Sequence, residues 1–474
     1  MMDSFDELPL IKVLKEYMNE DIAPFSMPGH KYGRAFFNDG LGELMLRADI
    51  TEFDGVDNLH KPEGVIKESQ DMLTKLYRSK KSYFLVNGST SGNLIMMFAA
   101  FNEGDTVIIE RNCHRSIMNA IIVRKLKPIF VKNIIHKDFK APIGIDIDDL
   151  ERIIKNNKEA KGVVLTYPYY YGIGIGVEDT IKMCKENGLS VLIDSAHGAH
   201  FGFNKKLPKS AQDFEADIVV MSAHKTLPSL TQTAYIHVNN EKFLDKVDFY
   251  KGVFLSTSPS YMFMMSLEYG KYFLEVKAEN YYDLLLERIE RFKNNIRSID
   301  YIKLIDKKFF REFEDVELDS SRIVLHLSEG LSGHKLLDYL REQKVQCEMS
   351  DERNVILIPS PFNCEEDFVK LENALINCDK NILKQEEKGF YDIEIPKMSI
   401  IPADVLEMDR EWVDLEKATD RVVGENIIPY PPGVPLLVMG EKIEQRHISF
   451  INKYLEDKIT LMGVENRKVL VVKQ

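Results

Sequence analysis

The sequence predicts an α/β fold: a mainly parallel sheet flanked by helices, then a smaller α/β domain and a C-terminal α+β domain. Three observations carry this. Between about residues 60 and 240, short β-rich runs alternate with helical patterns. Strands separated by helices need crossover connections, which make a sheet mainly parallel and cover both of its faces. Charged, helix-prone sequence from Leu267 to Ser298 then reads as a long connecting helix, and shorter strand and helix patterns resume beyond it.

In chain order, Ser82–Val86 reads as a strand, followed by Gly88-Ser89-Thr90-Ser91-Gly92 and a helix through Asn93–Phe101. Thr106–Glu110 is the next strand, then a helix over Ser116–Lys125 and a strand near Pro128–Val131. Gly162–Thr166, Ser190–Asp194 and Asp217–Ser222 continue the series, with amphipathic helices near Ile147–Asn156 and Glu178–Glu186. Arg322–Leu327, Gly333–Gln343 and Val355–Ile358 suggest the smaller unit, and charged Lys380–Lys388 with Gly389 reads as a boundary. Pro429-Tyr430-Pro431-Pro432-Gly433 is too proline-rich for a helix and demands a fixed turn. The expected units are an N-terminal segment (1–55), a large domain (56–298), a small α/β domain (299–388) and a C-terminal domain (389–474).

With 474 residues, 44% hydrophobic and 29% charged, the chain has the composition of a soluble globular protein with a large core. A net charge of -13 offers no basic excess for phosphates, so nucleic acid is not an expected partner. The cysteines Cys113, Cys184, Cys347, Cys364 and Cys378 are scattered and odd in number, which fits a reducing compartment without a disulfide framework or zinc site. Met1–Glu20 has no continuous apolar stretch of the signal-peptide type, and no segment approaches the roughly 20 apolar residues that span a bilayer. A cytoplasmic protein with no membrane partner is expected.

In open parallel sheets, ligands bind beyond the carboxyl ends of the strands, and the chemically suggestive residues follow predicted strands. Lys225 closes Ser222-Ala223-His224-Lys225. A lysine there is either a surface charge or a partly desolvated amine whose lowered pKa suits a Schiff base; Ser222 and His224 can donate to a phosphate. Asn87–Asn93 supplies glycines for a tight turn, and hydroxyls and amides for an anion, or it is a simple helix cap. It lacks the pattern of an ATP loop, so a single phosphate fits better. Asp194 ends an apolar strand, where it can cap a turn or, paired with a Schiff-base lysine, keep a pyridine nitrogen protonated. His197 and His200 lack the spacing of a helical zinc pair, so no metal is expected. His114, in Arg111–Ser116, is either a packed histidine or an imidazole over a planar ring.

Taken together, these motifs resemble the ornithine/lysine/arginine decarboxylase family of fold-type-I pyridoxal-phosphate enzymes, in its short, arginine-decarboxylase-like bacterial form. The matching segments are Phe25–Lys31, Asp57–Gly64, Asn87–Asn93, Arg111–Ser116, Thr166–Gly172, Asp194–His200, Ser222–Lys225, Ser256–Ser260 and Tyr430–Gly433. The resemblance implies pyridoxal 5'-phosphate held by Lys225, with Asp194 at the pyridine nitrogen and His114 stacked on the ring. It places Thr90, Ser91, Ser222 and His224 at the phosphate and His197 beside the ring. Ser256 or Thr257 would reach the site from a neighbouring subunit, which makes a homodimer or higher oligomer with shared sites. Two departures stand out. Ser195 replaces the glutamate of many relatives, and Tyr169 replaces a threonine near the substrate.

The implied reaction is decarboxylation of a basic amino acid, arginine before lysine or ornithine, to a di- or polyamine of the kind used in polyamine biosynthesis. Cα would be reprotonated by Lys225 or His224. A rival on the same fold, an aminotransferase or carbon–sulfur lyase, predicts a small-domain arginine clamping the α-carboxylate, for which Arg322 and Arg353 are candidates. A non-catalytic, regulatory relative predicts loss of the lysine or the acid, and both Lys225 and Asp194 are present.

Overall fold

The main sheet of the computed structural model has seven strands. In spatial order they are Lys81–Leu85, Ala234–Val238, Ile218–Met221, Ser190–Asp194, Gly162–Thr166, Thr106–Glu110 and Lys127–Val131. The structure describes residues 8–53, 55–385, 394–430, 435–456 and 459–473; Gly389, Pro431, Pro432 and Gly433 lie outside them. Only Ala234–Val238 runs against its neighbours; the other pairings are parallel. Central strands such as Ser190–Asp194 and Ile218–Met221 are buried at every position, as expected of strands covered on both faces.

The helix expected from Asn93 begins at Gly88, so the glycine-rich segment is its opening turn rather than a preceding loop. Gly88 turns the chain out of the strand at φ 76°, a conformation that glycine adopts without penalty. Gly92 lets the helix lie close on the sheet, because a Cβ there would stand 2.7 Å from Val220 and 2.8 Å from Leu85. The helix Ile147–Asn156 falls where its periodicity puts it, started by Asp146, whose carboxylate accepts from the Asp149 amide at 3.0 Å. The long connector runs from Tyr261 to Asn295, with a π-turn at Phe273–Lys277.

The smaller unit carries an antiparallel sheet in the order Ile302–Leu304, Ile323–Leu327, Asn354–Leu357, Met349–Ser350. The N-terminal strand Ala23–Phe25 pairs in parallel with Val345–Cys347 of this unit. Near the C-terminus, Arg410–Asp414, Lys468–Val472 and Val464–Glu465 form a third sheet over a core that includes Leu415, Val423, Ile448 and Val469. Among the described residues, no helix is long and apolar enough to cross a membrane.

Candidate active site

The strand ends that matter share one edge of the sheet: Thr166 pairs with Asp194, Asp194 with Val220, and Glu110 with Val131. Lys225 rises from a short turn of helix, Ala223–Thr226, just past the Ile218–Met221 strand. Its Nζ is 3.0 Å from Nε2 of His197. Desolvation lowers the pKa of the amine, opposed by the charges of Asp194 and Glu348. Burial, reinforced by Lys225, holds the His197 pKa well below the ordinary imidazole range, so the ring is neutral beside the amine.

Asp194 is 3% exposed and ends its strand. Its Oδ1 accepts from the Ala196 amide at 3.0 Å and its Oδ2 from Asn93 Nδ2 at 2.7 Å. The same Asn93 amide nitrogen donates to Ser116 Oγ at 2.7 Å. Ser116 in turn meets His114 Nδ1 at 2.7 Å, while its backbone N–H donates to that same nitrogen at 3.2 Å. Because Nδ1 accepts from the backbone, the His114 proton sits on Nε2. Asp194, Asn93, Ser116 and His114 are thus one hydrogen-bonded chain. Asn93 and Ser116 carry no individual signal in the sequence: they lie within the Asn87–Asn93 and Arg111–Ser116 motifs near the starts of helices, where polar residues ordinarily cap or pack.

The anion-binding expectation meets a suitable place. The thirteen-residue helix Gly88–Ala100 opens without a side-chain cap, leaving amides and its positive dipole end available. Ser222 Oγ donates to Ser89 Oγ at 2.7 Å, so Ser222 stands against this turn, and Thr90 is exposed on it. Ser91 turns away, donating to the Gly88 carbonyl at 2.7 Å. His224 sits between: its Nδ1 donates to the Thr233 carbonyl at 2.9 Å, and burial lowers its pKa. Buried polar atoms without partners gather here, among them His197 Nδ1, Ser195 Oγ, Thr226 Oγ1 and Asn93 Oδ1. Buried polar atoms are ordinarily paired, so this concentration fits a polar ligand such as a phosphate-bearing pyridine.

One neighbour whose charge acts on Lys225, Glu348, has no signal in the sequence. Glu348 accepts from Tyr170 Oη at 2.6 Å and from the Met27 amide at 2.9 Å. The Tyr170 ring lies 4.7 Å from that of His197. Tyr169, expected near the substrate, instead turns inward: its hydroxyl accepts from Asn133 at 3.0 Å, beside buried Glu110. Arg322 is buried against the Tyr170 carbonyl, its Nε ion-paired with Asp319 at 3.6 Å and its Nη2 without a hydrogen-bond partner. Arg353 is engaged elsewhere, on the Leu327 carbonyl.

Two motifs hold the lysine turn and its surroundings. Gly29 donates its amide to the His224 carbonyl at 2.9 Å and accepts from Ser360 Oγ at 2.7 Å. Asp57 gathers the amides of Asn58, Glu63, Gly64 and Ile66. Burial would raise its pKa, but those bonds prevail and hold it at about 2. The turn that Asp57 organises puts His60 Nε2 2.7 Å from the Ser256 carbonyl. The Ser256 amide donates to Asn87 Oδ1 at 3.2 Å, so this segment adjoins the anion-binding turn of its own chain, with Ser256 and Thr257 exposed.

Comparison with known proteins agrees with this geometry. Residues 8–326 match the family model described as Orn/Lys/Arg decarboxylase, major domain, and residues 387–463 match Orn/Lys/Arg decarboxylase, C-terminal domain. The chain is 32% identical to YaaO of Bacillus subtilis, described as uncharacterized, over 98% of each chain. It is 28% identical to an arginine decarboxylase of the same organism, over 98% of this chain and 97% of the relative. The solved structure of the Escherichia coli constitutive lysine decarboxylase superposes with a TM-score of 0.77 at 19% identity, covering 99% of this chain and 82% of the other.

Proposed function

Because the chain belongs to the Orn/Lys/Arg decarboxylase family, whose members are pyridoxal-phosphate-dependent amino-acid decarboxylases, we propose that it decarboxylates a basic amino acid, arginine before lysine or ornithine. The product would be the corresponding di- or polyamine. The carrying observation is the partly buried Lys225 amine between His197 and Glu348, at the strand edge that ends in Asp194.

Pyridoxal phosphate, when bound through Lys225, supplies the electron sink for loss of CO2. The chain's residues supply the rest. Asp194 would hold a proton on the pyridine nitrogen, while Asn93 and Ala196 orient its carboxylate. His114, its tautomer fixed by Ser116, would cover the ring face, and His197 would lie beside the ring. Ser222, Thr90 and His224, with the opening turn of the helix, would take the phosphate; Ser91, whose hydroxyl donates to the Gly88 carbonyl, would have to turn it to join them. An anion against His224 Nε2 would draw a proton onto it, reversing the effect of burial. Once its amine is freed, Lys225 is placed to return a proton to Cα, with His224 as the alternative donor. Glu348 offers a carboxylate for the cationic end of the substrate.

The deciding experiment measures CO2 release from arginine, lysine and ornithine, with the product amine identified, and maps the borohydride-fixed cofactor. Release from none of the three, or a label on a lysine other than Lys225, overturns the proposal. Because Arg322 carries an unpaired donor, Nη2, near the site, transfer of an amino group to an α-keto acid is assayed alongside. Transfer in place of CO2 release would favour transamination.

The assembly we propose is a cytoplasmic homodimer, or a higher oligomer, whose sites are shared through Ser256 and Thr257. Support comes from the apolar side chains left exposed in the N-terminal segment, including Leu10, Leu14, Phe37, Leu46 and Phe53, more than a monomer usually leaves in one stretch.

A further inference from the structure

The Arg111 guanidinium leaves the main sheet three residues before His114 and ends in the C-terminal unit. Nη1 and Nη2 donate to Glu441 Oε1 and Oε2 at 2.5 and 2.9 Å, and Nη2 also reaches the Leu436 carbonyl at 3.1 Å. The Arg111 and Glu441 side chains are 9% and 0% exposed. Glu441 also takes the Val438 amide at 2.7 Å, so the carboxylate cannot swing away from the arginine. A fork this buried and this fully engaged fixes geometry in two directions at once. A second contact is independent of charge. Ile122, near the far end of the helix that His114 caps, packs into a cluster formed by Val405, Met439 and Val472. The C-terminal unit therefore grips the His114 helix at both ends: before its first turn through Arg111 and near its last through Ile122.

We propose that the C-terminal domain is a positioning element of the active site, and that Arg111 and Glu441 are the positioning pair that fixes the loop carrying His114. This rests on the proposed role of His114 over the cofactor ring. Neither residue touches the reacting atoms. What they set is where the imidazole stands relative to Asp194, through the Ser116–Asn93 link.

The test uses the full chain with both positions made apolar, Arg111→Met with Glu441→Leu, because a buried ion pair replaced as a unit generally leaves a foldable protein. Glu441→Asp, which keeps the charge but shortens its reach, is the second variant. Three quantities are read: hydrogen exchange of residues 110–116 in the cofactor-free protein, the visible circular dichroism of added pyridoxal phosphate, and kcat against KM for whichever basic amino acid the wild type consumes. The expected result for the double variant is a melting temperature within about 5 °C of wild type. Exchange should be about tenfold faster, the cofactor dichroism weaker, and kcat lower by about tenfold or more with little change in KM. Glu441→Asp should move in the same direction by less. Wild-type exchange and kcat in both folded variants overturn the proposal. If the wild type binds no cofactor, the proposed function fails instead, and exchange in the cofactor-free chain still decides whether the pair clamps the loop.

Discussion

At Asp194 both carboxylate oxygens are already oriented by neutral donors, Asn93 and the Ala196 amide. An asparagine keeps one acceptor oxygen and sets its NH2 against the other donor, which an amide flip of Asn93, whose Oδ1 has no partner, relieves; fold and cofactor binding should therefore survive. The substitution removes the charge that we propose keeps the pyridine nitrogen protonated. Turnover of Asp194→Asn should fall by about 100-fold, on the order of 3 kcal/mol of transition-state stabilisation; steady-state rates near wild type would dismiss the assignment. Glu110 makes a different prediction. Burial pushes its pKa from 4.5 to about 7, while Asn133 and the Thr166 amide donate to its carboxylate. Between those values the folded chain keeps a proton that the unfolded chain has released. Stability should therefore decline as pH rises through that window and level off above it, by on the order of 3 kcal/mol. Denaturant unfolding at about pH 5 and about pH 7.5 checks this, because Glu110→Gln should lose most of the decline. Parallel pH dependence in the two proteins would show that Glu110 is ionised throughout.

At the scale of elements, the Phe25–Lys31 segment is more than a family signature. A Cβ on Gly29 would stand 2.6 Å from the Leu227 carbonyl oxygen and 2.8 Å from the Thr226 carbonyl carbon, against the backbone that carries Lys225. Gly29→Ala should cost about 1–3 kcal/mol by overpacking and displace the lysine turn. The readings are a lower melting temperature and slower appearance of the cofactor absorbance; an unchanged rate of attachment would show that the turn tolerates the methyl group. The sequence made the parallel strands and the residues at their ends legible, because a buried strand is a short apolar run and its end is where a polar residue stands out. Asp194 and Lys225 could be picked out for that reason. The antiparallel strand Ala234–Val238 does not stand out in the sequence, since its pattern resembles its parallel neighbours and only the one-turn helix Ala223–Thr226 precedes it. The small-domain sheet was expected from two strands, but its antiparallel order depends on a hairpin, Met349–Ser350 with Asn354–Leu357, too short to show a period. Glu348 comes from a distant segment, and no local spacing announces it; Arg322 stands out only as one of two candidate arginines and Tyr170 only as part of the Thr166–Gly172 motif. The inward turn of Tyr169 was equally invisible, because three successive tyrosines give no clue to which one faces the cofactor.

At the scale of the whole molecule, the question is whether one chain makes one site. Ser256 and Thr257 stand exposed beside the opening turn of the Gly88–Ala100 helix. Mixing Lys225→Ala subunits with subunits carrying Ser256→Ala and Thr257→Ala should restore activity if hydroxyls cross between chains. One site of the mixed dimer then has both an intact lysine and an intact donor. The serine–threonine variant must first be shown to be weak and subunit exchange confirmed. With both established, a mixture no more active than its parents counts against sharing, and an active monomer rules it out.

The pairing of Ala23–Phe25 with Val345–Cys347 also has a consequence in time. A ribosome working at roughly 5–20 residues per second needs tens of seconds to travel between those two strands. In the last part of that interval, once residue 225 has been made, the nascent chain carries Lys225, Asp194 and His114, yet the segment that seats Gly29 against the lysine turn has no partner. The lysine turn is thus made early and closed late: the backbone of Gly29 can be held against it from both sides only after Ser360 and the Val345–Cys347 strand have been made.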